Sequence, residues 1–161
     1  MRIMPSGNAG DESLAQAELT ARSIAHKNIG DTYFDQGKFD EAAAYYRQAI
    51  ACNADYAEAH NNLSGVCREQ NLFADAEHHL RQAIKIKPGF ANFHYNLASL
   101  QMEQKKTDDA IENFSKALRC EPNHHAAQAI MLHLMQQSCR WEDRDSHIEI
   151  LRRSEIGRAH V

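Results

Sequence analysis

Apolar residues recur along this chain at helical spacing, and the pattern repeats three times. Residues 23–56, 57–90 and 91–124 superimpose without a gap, each segment 34 residues long. Position 7 of the segments holds Ile29, Leu63 and Leu97, and position 24 holds Tyr46, Leu80 and Phe114. Other places always hold small residues: Gly30, Ser64 and Ala98 at position 8; Ala42, Ala76 and Ala110 at position 20; Ala49, Ala83 and Ala117 at position 27. Large side chains fill a core, and small ones let two helices cross closely. Each segment therefore predicts a helical hairpin: 23–36 with 39–53, 57–70 with 73–87, and 91–104 with 107–121. No segment can bury its apolar face alone, so three in a row is about the minimum for a stable array.

The punctuation fits. Pro88 and Pro122 stand at position 32 and stop the second helix, whereas Ala54 leaves the first repeat a softer boundary. Gly37 suits the left-handed residue that closes the first helix of a pair, and Asn71 serves there at a higher cost. The third repeat has Lys105 at that place, and Thr107 where the others have Phe39 and Phe73, so it is expected to be the least well anchored. Residues 1–22 form an N-terminal extension, partly helical, with Asp11 as its expected N-cap. Its helix either runs on into the first repeat or breaks near Thr20. Residues 125–155 predict capping or linker helices, the first reaching about Ser138. Residues 156–161 read as a translated sequencing adapter, an artefact outside the fold.

A 34-residue period with this register of small and large residues resembles the tetratricopeptide repeat (TPR). The resemblance implies an all-α fold, a right-handed α-solenoid of TPR helix pairs whose first helices line a concave groove. Segments 23–56, 57–90 and 91–124 are then TPR 1, 2 and 3. Position 6 of each is asparagine: Asn28, Asn62 and Asn96. An asparagine side chain offers an acceptor and a donor, matching a peptide's own N–H and C=O. A ladder of three is expected to grip extended protein segments without reading their sequence. Position 4 is histidine throughout, His26, His60 and His94, and is expected to pack within each repeat. The adjacent pairs His78–His79 and His124–His125 lack the spacing of a zinc helix and are expected to be solvated.

Composition narrows the rest. A net charge of -4 gives no electrostatic case for nucleic acid, and no run of apolar residues is long enough for a membrane span. The four cysteines, Cys52, Cys67, Cys120 and Cys139, have no metal spacing; they are expected to be reduced and buried in a cytoplasmic protein. Neither cofactor nor metal is expected. There is no nucleophile elbow, P-loop, dinucleotide loop or zinc-protease helix, so the chain carries no catalytic residue of its own.

Two TPR classes compete. Co-chaperone TPRs clamp a C-terminal carboxylate, but at the five clamp positions this chain has Lys27, Asp31, Asn62, Asn92 and Asn96. Only Lys27 and Asn62 match, and Asp31 would repel a carboxylate. The other class is more similar. Cys139, Trp141, Asp143 and Asp145 match the C-x-W-x-D-x-D signature that follows the repeats in O-GlcNAc-transferase and SPINDLY-like glycosyltransferases. That resemblance implies an arm that holds acceptor proteins for a catalytic region beyond this chain, one that transfers GlcNAc from UDP-GlcNAc. The alternative is a stand-alone adaptor with no enzymatic activity.

Overall fold

The computed structural model describes the backbone of residues 9–138 and the side chains of 13–134. Among the described residues there are seven α-helices and no strand: α1 (Ala9–Asp35), α2 (Phe39–Cys52), α3 (Ala57–Glu69), α4 (Phe73–Ile86), α5 (Ala91–Glu103), α6 (Thr107–Cys120) and α7 (His125–Ser138). Each packs on the next in chain order, giving the expected array of helix pairs. The predicted helices end within about one residue of the observed ones. α1 runs unbroken through Thr20 and is already helical at Ala9, so Asp11 lies within the helix rather than capping it.

The small-residue register makes the close crossings possible. Ala42, Ala49, Ala76, Ala83, Ala110 and Ala117 are all fully buried. A Cβ at Gly30 would lie 2.6 Å from the Tyr46 ring, so here the helix crossing itself requires glycine. Tyr46, Leu63, Leu80 and Leu97 share one apolar cluster; Phe114, Leu118 and Met131 share the next, which α7 completes. Position 7 departs once from expectation. Leu63 and Leu97 are buried, but Ile29 is 40% exposed, because no described helix precedes α1 to cover it.

The three hairpin turns are alike although their residues differ. Gly37, Asn71 and Lys105 all have left-handed φ, at 71°, 60° and 60°. In each turn two backbone N–H groups fold back on the preceding helix, as Gly37 N to Phe34 O (2.9 Å) and Lys38 N to Tyr33 O (2.9 Å) do in the first. Phe39 and Phe73 pack against the core beside these turns, whereas Thr107 is exposed.

The position-4 histidines pack inside their repeats as expected, but two residues of the histidine pairs are not simply solvated. His79 is half-buried, its Nδ1 3.2 Å from Nδ1 of His60. His124 stacks on Tyr95 and accepts the Ala127 backbone N–H at Nδ1, while Nε2 meets Asn92 Oδ1 at 3.0 Å. The cysteines also differ: Cys67 is buried, Cys52 partly so, and Cys120 exposed; all three are free thiols. Cys139, the Trp141 segment, the second capping helix and the suspected adapter tail lie outside the described residues.

Candidate functional site: a polar groove along the first helices

The first helices of the three pairs, α1, α3 and α5, line a cavity of about 270 Å³. Asp31, Phe34 and Asp35 come from α1; Asn61, Asn62, Ser64, Gly65 and Arg68 from α3; Asn96 and Leu100 from α5. Tyr46 and Leu80 reach its floor from the second helices. Two of the three expected asparagines, Asn62 and Asn96, meet in this cavity. Asn28 is exposed on α1, one turn before Asp31, and is not part of the cavity lining.

The polar groups form one directed chain. Asn96 Nδ2 donates to Asn61 Oδ1 at 2.7 Å, Asn61 Nδ2 to Asn62 Oδ1 at 3.1 Å, and Asn62 Nδ2 to Asp31 Oδ1 at 2.8 Å. The chain ends on a carboxylate that collects further donors: the Tyr46 hydroxyl at 2.8 Å on the same oxygen, and Lys27 Nζ at 2.8 Å on the other. Burial pushes the Tyr46 hydroxyl well above the ordinary phenol range, and its bond to Asp31 adds to the rise. The same carboxylate, through its hydrogen bond, raises the Lys27 ammonium. Every amide in the chain is therefore oriented with N–H toward Asp31, and the NH₂ groups of Asn61 and Asn96, with one hydrogen bond each, keep a second hydrogen for a ligand.

Asn61, Tyr46 and Gly65 complete the site without having been singled out for it from sequence, whereas Asp31 stood out there only as a charge that would repel a carboxylate. The signal lay in position 9, where Asp31, Gly65 and Ser99 differ in every repeat. Gly65 contrasts with Gly30. A Cβ at Gly65 would meet only the Phe34 ring, at 3.8 Å, an ordinary contact. Glycine in a helix interior costs roughly 0.5–1 kcal/mol relative to alanine. At Gly30 close packing explains that cost; at Gly65 packing does not, and the effect of the missing side chain is to leave the cavity open.

Beyond α5 the groove changes character. A cleft lined by Ser99, Met102, Phe114, Ala129, Ile130 and His133 lies between α5 and α7 and is mostly apolar. α7 begins 34 residues after α5, yet its position 6 is Ile130, so the asparagine series ends there. Among the described residues no set of three or more metal-ligating side chains converges, and no helix is long and apolar enough to cross a membrane.

Comparison with known proteins agrees with this architecture. No curated protein matches the chain. The first TPR of Spaghetti (RPAP3), solved bound to the HSP90 peptide SRMEEVD, is 21% identical over 74% of this chain and 95% of that one, with a TM-score of 0.70. MamA is 18% identical over 93% and 87% (TM-score 0.71), and the Arabidopsis OM64 TPR domain 20% over 74% and 98% (TM-score 0.70). At such identities the likeness speaks for the fold alone. Two family models, both described as tetratricopeptide repeat, match residues 27–89 and 68–134, which together take in all of α2 to α6; the chain belongs to the tetratricopeptide-repeat family.

Proposed function

We propose that this module holds an extended polypeptide in the groove of α1, α3 and α5, gripping its backbone through Asn28, Asn62 and Asn96. The directed amide chain ending on Asp31 supports this reading best: it fixes the side chains in place while leaving donors free. Preorganised donors lose less entropy on binding. Spaghetti shows a TPR bound to a peptide, SRMEEVD. The carboxylate clamp of co-chaperone TPRs does not transfer, because Asp31 lines this groove and would repel such a group. The test is the triple variant Asn28→Ala, Asn62→Ala, Asn96→Ala against a positional-scanning library of capped decapeptides. Binding should weaken about tenfold or more with the helical circular dichroism retained. Unchanged binding refutes the asparagine grip.

A second reading rests on a separate observation. Cys139, Trp141, Asp143 and Asp145 support the module as the acceptor-holding arm of an O-GlcNAc-transferase-like enzyme. The arm would raise the acceptor's effective concentration at a catalytic region elsewhere in the parent protein. The free thiols of Cys52 and Cys67 suit a reducing compartment such as the cytoplasm. Genomic sequence decides between arm and adaptor: a glycosyltransferase region in the same reading frame supports the arm, and a native stop soon after Arg153 leaves the adaptor.

A further inference from the structure

Three features of the cavity between α1, α3 and α5 bear on what enters it. Its opening over α3 exists because residue 65 has no side chain, although the packing around it would accept one. Its charge is unbalanced. Of the charged groups on its walls, Arg68 is held by Glu103 at 3.3 Å and faces Glu69 at 3.9 Å, and Asp31 is paired with Lys27. Asp35, one turn further along α1, lines the same cavity with no hydrogen bond or ion pair to any described residue. Its floor and flank are aromatic and apolar: Phe34, Tyr46, Leu80 and Leu100.

Together these describe a socket for a long side chain with an apolar stem and a positive head. We infer that the cavity receives an arginine or lysine side chain of the polypeptide lying in the groove, an assignment that rests on the peptide-holding function proposed above. The peptide backbone crosses α3 at Gly65, where it can approach closest. The stem runs along Phe34, whose ring also favours a guanidinium by stacking. The head meets the Asp35 carboxylate, with the amide chain and Asp31 behind it. A bound acidic side chain would face two carboxylates instead.

The experiment is the same library of capped decapeptides, read for wild type, Asp35→Asn and Gly65→Ala. Wild type should enrich arginine or lysine at one position. Asp35→Asn should weaken the enriched peptides roughly two- to fivefold and flatten the cationic preference, an effect sized for a partly exposed ion pair and shrinking with added salt. Gly65→Ala should raise the melting temperature by roughly 2–4 °C, as alanine favours helix, while weakening the same peptides. A merely structural glycine would not move stability and binding in opposite directions. Bound peptides without cationic preference, or with a preference that Asp35→Asn leaves intact, overturn this assignment and spare the groove. If no library peptide binds at all, the groove reading fails and this assignment fails with it.

Discussion

The second and third repeats place the same histidine at the same crossing and give it different neighbours. In the second, His60 Nδ1 meets His79 Nδ1 across 3.2 Å. In the third, His94 Nε2 donates to the Pro88 carbonyl at 3.0 Å, but position 23 is Asn113, which turns to Gln101 Oε1 at 2.9 Å and to the Asp109 carbonyl at 3.1 Å. His94 Nδ1 is left buried without a partner. In both pairs the small residues of the crossing, Ala76 and Ala83 in one and Ala110 and Ala117 in the other, are fully buried. The crossing is therefore governed by shape, and its polar chemistry is free to vary. What varies with it is the response to acid. Burial, joined by the neighbouring His60 and His78, lowers the His79 pKa to about 4, and burial also depresses His60.

The largest effect that could break the comparison comes from its shared core. Phe114→Ala and Leu80→Ala empty the same position in the two repeats. They should destabilise by about 3–5 and about 2–5 kcal/mol respectively, with the phenylalanine the more costly. Equal losses on chemical denaturation would show that the two cores are not packed alike. A loss under 1 kcal/mol at either would contradict its burial.

Acid provides the next test. His79 is neutral in the folded chain down to about pH 4 but gains a proton near 6.5 when unfolded. The unfolded state then binds more protons, so stability is complete above pH 6.5, falls as pH drops, and levels off below about 4. The loss should be on the order of 1 kcal/mol once screening of a half-exposed pair is allowed for. His79→Asn, which gives the second repeat the residue of the third, should remove most of it. Melting curves at pH 7 and 5 that shift equally for both proteins would show that the pair is not the acid-sensitive element.

The smallest effect lies in the turns. Lys105 and Asn71 share a left-handed φ of 60°, but lysine has no local hydrogen bond to offset the strain. Lys105→Gly should gain about 1 kcal/mol, and Asn71→Gly a few tenths. If Asn71→Gly gained more, the expectation that the third repeat is the less well anchored would lose its support.

The periodic features could be read in advance. Helix boundaries followed from the alternation of large and small residues because that register is local and repeats. Asn62 and Asn96 could be placed in the groove for the same reason. The rest of the site is aperiodic. Asp31, Gly65 and Ser99 share one repeat position, as do Lys27, Asn61 and Tyr95, and averaging over repeats hides each of them. Their roles depend on α1 lying beside α3, which brings residues 31 positions apart within 2.8 Å. Ile29 shows the converse: its repeat position implies a covering neighbour that no described residue supplies.

α1 carries a mechanical consequence. The helix is unbroken from Ala9 to Asp35, so about 21 Å of it stands ahead of the first repeat and continues into the wall that bears Asp31 and Asp35. An unbroken helix has no loop at which to dissipate a load. Tension or torque applied near Leu14 is therefore expected to reach that wall, which would make the leading segment a lever arm on the groove.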